Sequence, residues 1–259
     1  MPTIDIAGTP FAYRFDGPED APVLMLSNSL GTDHTMWDQQ IPAWSKSLRV
    51  LRYDTRGHGG TAATPGPYSI DRLGMDAVAL MDALKLRRVH WCGLSMGGMT
   101  GMWLLTHAAD RLDRAILANT AAHMGPPDGW NTRIRTVLAK GMEPIAAALK
   151  DRWFTKALQA KGSADMERIV ATFRTISPEG YAACCGAIRD MDQREALRAV
   201  KGKPVLVIIG KQDPATPPAA GALVADAIPG AKTKMIDAAH LSNVEKPDVF
   251  AKAVLEFLK

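Results

Sequence analysis

Three cysteines occur among 259 residues, and two of them, Cys184 and Cys185, are adjacent. That spacing offers neither a disulfide framework nor a zinc site. A reducing cytoplasm is the expected compartment. No run reaches the ~18 apolar residues of a membrane span. The opening Met1-Pro2-Thr3-Ile4-Asp5 has no basic stretch and no long apolar one, so neither membrane insertion nor a signal peptide is expected. Aromatic residues make up 6% of the chain, and no basic run interleaves with them. The net charge of +4 therefore predicts a slightly basic surface that can draw an anionic substrate, and no nucleic-acid partner. Internal repeats and low-complexity linkers are also missing. What is present is ordinary for an enzyme: 47% apolar and 22% charged residues, enough for one large α/β core with room for an inserted subdomain.

Short apolar runs alternate with helix-spaced segments along most of the chain. Residues 3–7 and 12–15 alternate around Gly8-Thr9-Pro10 and predict an opening hairpin. Residues 23–26, 49–53, 89–92, 115–117, 205–209 and 233–236 are short apolar or alternating runs. Such runs suit buried strands of a parallel sheet. Met36, Trp37, Ile41 and Trp44 recur at helical spacing, as do Ile70, Leu73, Ala77, Leu80, Met81 and Leu84 behind a capping Ser69. A last helix should start near Pro247. From about 126 to 199 the pattern is helical throughout. These signals predict a mostly parallel sheet of about eight strands with helices on both faces. Residues 1–122 and 200–259 form the expected core, and 123–199 an inserted helical lid. Ligands of such sheets bind beyond the carboxyl ends of the strands.

The segment Trp91-Cys92-Gly93-Leu94-Ser95-Met96-Gly97-Gly98-Met99 reads Gly-x-Ser-x-Gly between an apolar run and a helix-compatible one. That is the form of a nucleophile elbow, which lifts a serine hydroxyl above the edge of a sheet. A serine needs a base to take its proton, and the base needs a carboxylate to hold its tautomer. Only His107, His123 and His240 lie downstream of Ser95. His107 falls about three turns into the following helix and points away. His123 follows a strand end, from where it can line a cavity. His240 follows the last strand and is the expected base. Asp213, just past the penultimate strand, is the expected acid; Asp237 is the competitor and is assigned a structural role. Asn119, at another strand end, carries no charge. Asp54 and Arg56 suit a structural ion pair or turn. For the oxyanion, the backbone N–H groups of Met96 and Leu30 are the expected donors.

The chain resembles the α/β-hydrolases and, within them, the 3-oxoadipate enol-lactonases. The resemblance spans nearly the whole chain. Its sharpest carriers are Ser27-Asn28-Ser29-Leu30-Gly31-Thr32, where most relatives have a His-Gly pair, and Trp130-Asn131-Thr132-Arg133-Ile134. The segments 51–59, 66–70 and 92–99 add to it but are shared more widely. Gly60-Thr61 departs from the common pattern of a small residue followed by serine. The resemblance implies hydrolysis, without cofactor or metal, of a small anionic enol lactone. Ser95 would attack the carbonyl, His240 would take its proton, and water would release the keto-diacid. The substrate carboxylate calls for a guanidinium. Arg133 beside Trp130 is nominated, although Arg133 and Arg135 also suit the solvated face of a helix. Ser29 and Asn28 are placed near the substrate too. Trp153 suits the core of the lid better than the pocket wall. A carboxylesterase, perhydrolase or carbon–carbon hydrolase of the same fold is the alternative, followed by a receptor-like binder. Ser95 itself excludes haloalkane dehalogenation, which needs a carboxylate nucleophile. The sequence sets no oligomeric state.

Overall fold

A computed structural model describes residues 1–259. The chain opens with β1 (Thr3–Ile6) and β2 (Thr9–Asp16), then β3 (Val23–Ser27). A 3-10 turn (His34–Trp37) and α1 (Ile41–Trp44) lead to β4 (Arg49–Tyr53), α2 (Ile70–Ala83), β5 (Val89–Leu94), α3 (Met96–His107) and β6 (Leu112–Ala118). Six helices follow without a strand: α4 (Pro127–Lys140), α5 (Glu143–Ala146), α6 (Leu149–Trp153), α7 (Lys156–Lys161), α8 (Ala164–Thr175) and α9 (Pro178–Asp190). Alternation resumes with β7 (Val205–Gly210), α10 (Pro218–Ala227), β8 (Lys232–Ile236), α11 (Ser242–Glu245) and α12 (Pro247–Leu258).

The eight strands form one sheet in the order β1-β2-β4-β3-β5-β6-β7-β8. β1 and β2 pair antiparallel, as do β2 and β4; every later pair is parallel. Register aligns Ser27 with Gly93, Leu94 with Ala118, and Gly210 with Ile236. The loops after β3, β5, β6, β7 and β8 therefore open on one edge. β7 is buried along its whole length, as its unbroken Val-Leu-Val-Ile-Ile run requires. β8, at the edge, carries exposed Lys232 and Lys234, charges that discourage edge pairing. One cluster of 71 buried apolar residues runs through both the sheet and the helical block, so the block shares the core of the sheet. Cys92, Cys184 and Cys185 are free and buried. No helix is long and apolar enough to cross a membrane.

Two local expectations are revised. The first hairpin turns at Ala7 and Gly8, both at positive φ, with Asp5 Oδ1 accepting the Gly8 N–H at 3.0 Å; Thr9 and Pro10 belong to β2. The helical spacing from Met36 to Trp44 is split in two. Asp33 caps the 3-10 turn through the Thr35 N–H, and α1 starts separately at Ile41 with Pro42 in its first turn. Ser69 caps α2 as expected, accepting the Arg72 N–H at 3.1 Å.

Candidate active site

Ser95 sits between β5 and α3 with φ 56° and ψ −113°, a left-handed conformation that side chains rarely adopt. The flanking glycines are needed because the turn folds onto itself. A β-carbon on Gly93 would lie 2.0 Å from the carbonyl oxygen of Gly97. One on Gly97 would lie 2.1 Å from that of Ser27 in β3. The Ser95 N–H donates to Ala118 O at 2.8 Å, and the Thr120 hydroxyl donates to Ser95 O at 2.8 Å. The Gly97 N–H donates to Asn28 O at 3.0 Å. The elbow is thus tied to the ends of both neighbouring strands.

The loops after β7 and β8 bring Asp213 and His240 together. His240 Nδ1 lies 2.9 Å from Asp213 Oδ2, and both residues are buried. The carboxylate can only accept, so Nδ1 carries the proton and Nε2 is left for another partner. Asp213 Oδ1 accepts the N–H groups of Ala215 at 2.8 Å and Thr216 at 2.9 Å. Its Oδ2 also accepts the Thr216 hydroxyl at 2.7 Å and Asn119 Nδ2 at 3.0 Å. Burial by itself raises the carboxyl, but the charge and hydrogen bond of His240, with the bonds from Thr216, outweigh it and hold it below the usual range.

Asn119, which its lack of charge sets aside as the acid, is a direct neighbour of Asp213. It ends β6 at φ 44°, accepts the Ser242 hydroxyl at 2.6 Å, and donates to Asp213 and to Ala239 O at 3.2 Å. Its strand-end position was the available signal; looking only for charge hid it. Asp237 is exposed and accepts from Gln212 Nε2 at 2.9 Å, away from His240.

On the opposite side, the loop after β3 carries Leu30. The next N–H, of Gly31, donates to His58 Nε2 at 2.9 Å, and the Thr32 hydroxyl donates to Ser29 O at 2.8 Å. Burial pushes His58 down to about 4, which keeps Nε2 an acceptor. The Met96 N–H, at the first position of α3, has no intrahelical acceptor. Asn28 departs from expectation. Its side chain donates to Tyr53 O at 3.0 Å and accepts Trp37 Nε1–H at 2.8 Å, so it faces the scaffold and braces the loop from behind. Both of its polar ends are engaged by the scaffold.

Ser29, Leu30, Ser95 and His240 open onto a narrow cavity of about 40 Å³. The helical block supplies the facing wall. Trp130 and Arg133 of α4 reach it, with the Arg133 guanidinium 5.1 Å from the Trp130 ring and Nη1 donating to the Tyr181 hydroxyl at 3.3 Å. Arg152 and Trp153, at the end of α6, line it as well. Neither Arg133 nor Arg152 pairs with a carboxylate, unlike buried Arg56, which holds Asp76 at 2.6 Å. Arg56 thus finds its partner on α2, while Asp54 holds His34 and the Gly60 N–H. Burial, then the neighbouring charge of Arg133, lowers Arg152 from its ordinary value. Sequence pattern does not single out Arg152, whose charge looks solvated in Lys150-Asp151-Arg152, and Trp153, expected in the lid core, reaches the cavity wall. His107 stacks on Trp103 at the surface, and His123 bonds near Met191 O, outside the cavity. No group of three or more His, Cys, Asp or Glu side chains is placed to hold a metal ion.

A backbone-strained serine, a buried histidine–carboxylate pair and N–H groups at a helix start can together perform acyl transfer. The similarity of the chain to known proteins agrees. Residues 22–247 match the model of the α/β hydrolase fold. The chain is 41% identical over 247 residues to 3-oxoadipate enol-lactonase 2 of Acinetobacter baylyi, covering 95% of this chain and 92% of the relative. It is 36% identical to 3-oxoadipate enol-lactonase 1 of the same organism, over 97% and 94%. The crystal structure of the enol-lactonase from Burkholderia xenovorans superposes with a TM-score of 0.97 at 45% identity, over 99% of both chains. The chain belongs to the α/β-hydrolase family and is an ester-hydrolysing enzyme within it.

Proposed function

We propose that the protein hydrolyses 3-oxoadipate enol-lactone to 3-oxoadipate through an acyl-enzyme on Ser95. The observation that carries this reading is the pair of guanidinium groups, Arg133 and Arg152, facing the Ser95 cavity without a carboxylate of their own. Two cations without a carboxylate partner beside a strained serine call for an anionic ester. The relatives that act on such a lactone supply its identity. His240 Nε2 takes the Ser95 proton as the hydroxyl attacks the lactone carbonyl, and Asp213 stabilises the imidazolium. The Ser95 hydroxyl has no partner in the protein, and contacts of this kind tighten in the substrate complex. The N–H groups of Leu30 and Met96 receive the oxyanion, each typically worth about 3 kcal/mol of barrier. The lactone C–O bond then breaks. The enolate, a good leaving group because its charge is delocalised, takes the proton back from His240 Nε2 and becomes the ketone. Water, deprotonated by His240, attacks the acyl carbonyl and frees Ser95. Ser29 contacts the ring from the sheet side. In this reading residues 123–199 are the lid, and they carry the groups that recognise the carboxylate arm.

The test is a paired assay of the purified protein on the enol lactone and on a neutral aryl ester, with Ser95→Ala beside it. The lactone should be the better substrate by kcat/KM, and Ser95→Ala should abolish turnover of both. Fast ester turnover with poor lactone turnover would reassign the protein as a general esterase.

A further inference from the structure

One carboxylate outside the reacting groups joins the two walls of the cavity. Glu245 ends α11, five residues beyond His240. Its Oε2 accepts the N–H of Ala239, the residue before the histidine, at 3.0 Å. The same oxygen accepts the N–H of Thr155 at 3.2 Å, and Oε1 accepts the Thr155 hydroxyl. Thr155 stands two residues beyond Trp153 and three beyond Arg152, both on the cavity wall. A parallel strut runs from the Leu241 N–H to Trp153 O at 3.1 Å. The base loop and the Arg152 segment are therefore bound through one short network.

The segment needs such an anchor. α6 has five residues, too few to hold its own shape, and Phe154 after it is extended. Every donor on Glu245 is uncharged, and an ionised carboxylate is the side chain that accepts from three donors without offering a proton in return. Glutamine at this position would match the size and turn an N–H toward one of these donors.

We infer that Glu245 is a positioning residue: it clamps the segment bearing Arg152 and Trp153 to the loop bearing His240. It thereby fixes the distance between the group that reads the substrate carboxylate and the base that acts at its carbonyl. The inference rests on the reading of Arg152 as a carboxylate-binding group.

The experiment compares kcat and KM on the enol lactone and on a neutral aryl ester for Glu245→Gln, Thr155→Val, Thr155→Ser, Arg152→Ala and the double variant Glu245→Gln/Arg152→Ala. Glu245→Gln should cost the lactone about tenfold more in kcat/KM than the ester, mostly as a rise in KM, in line with lost charge-assisted hydrogen bonds. Thr155→Val should move the same way and Thr155→Ser should restore most of the loss. Thr155→Val leaves the Ala239 bond intact, so the test stands even if the Glu245 variant fails to fold. In the double variant the two losses should overlap, because both act through the same contact. Equal losses on both substrates, or losses that add in the double variant, would overturn the clamp. If Arg152→Ala with Glu245 intact fails to separate the substrates, the carboxylate reading itself falls and the clamp falls with it.

Discussion

On the sheet side of the cavity, Asp213 accepts four hydrogen bonds besides that of His240. On the helical side, Arg133 and Arg152 have no carboxylate at all, and Arg133 shares only a tyrosine hydroxyl and a tryptophan face. The first wall is electrostatically complete before substrate arrives. The second is not, and a substrate anion would complete it. A saturated acid holds one geometry and serves any ester. Unpaired guanidinium groups favour one class of substrate. Changes at the elbow, the acid and the base should therefore be blind to the charge of the substrate, and changes on the helical side, or in the Glu245 contact that joins it to the sheet, should depend on it.

The largest effect expected is at the elbow. Gly97→Ala drives a β-carbon into Ser27 O, 2.1 Å away on the central strand β3, where nothing flexible can yield. Overpacking of this kind typically costs 1–3 kcal/mol or more, and here it also shifts Ser95. Soluble yield and thermal unfolding should both fall, and any folded fraction should lose the lactone and the neutral ester alike. Normal activity from Gly97→Ala would mean that the turn has slack.

Acid should weaken the same wall. His58 holds the Gly31 N–H with Nε2 and titrates at about 4 because it is buried. The unfolded histidine titrates near 6.5, so its folded value is depressed. The stabilisation is complete above about 6.5 and is lost as pH falls from there toward 4, because the unfolded chain gains the proton first. At 1.36 kcal/mol per pH unit this amounts to about 3 kcal/mol. Urea unfolding followed from pH 7 to pH 4 should show that decline, and His58→Gln should flatten it. An unchanged slope in His58→Gln would place the acid sensitivity elsewhere.

Asn119→Asp should follow in size. It replaces a donor 3.0 Å from Asp213 Oδ2 by a second carboxylate. Like charges at that distance raise one pKa and disturb the bond to His240. We expect kcat to fall roughly tenfold or more on both substrates. A loss confined to the lactone would contradict the division between the two walls.

The sheet wall was far more legible than the helical one, for a physical reason. The strands are short apolar or alternating runs whose ends are marked by a change of pattern, so the strand-end positions of Ser95, Asp213 and His240 follow from chain order. The elbow glycines name their own steric problem. The helical block gives no such marks. Arg152 sits in a run of charges that resembles any solvated helix face, and only the packing of short α6 turns it inward. Asn28 was misplaced for the converse reason. Adjacent residues in an extended loop point opposite ways, and sequence does not say which of Asn28 and Ser29 faces the cavity. The structure puts Ser29 there and ties Asn28 to Tyr53 and Trp37.

The smallest effects should be on the helical wall, and they should be the most discriminating. In the proposed reading Arg133→Ala and Arg152→Ala each remove one of two cations that face the substrate carboxylate, so each leaves the other to compensate. A hydrogen bond to a charged group is worth about 1.5–3 kcal/mol, so we expect about tenfold or somewhat more in kcat/KM on the lactone for each variant, and little change on a neutral ester. Arg133 has help that Arg152 lacks: its stack on Trp130 and its bond to Tyr181 hold the guanidinium in place. Arg133→Lys keeps the charge but loses the planar fork and the stack, so it should recover only part of the loss. The two alanine variants combined should cost more than either alone, because the last cation then goes and the substrate carboxylate is desolvated without a partner. Should the lactone and the ester decline together in every one of these variants, the arginines would be packing the helical block, and the unpaired charge on the helical wall would have to be assigned to something other than substrate recognition.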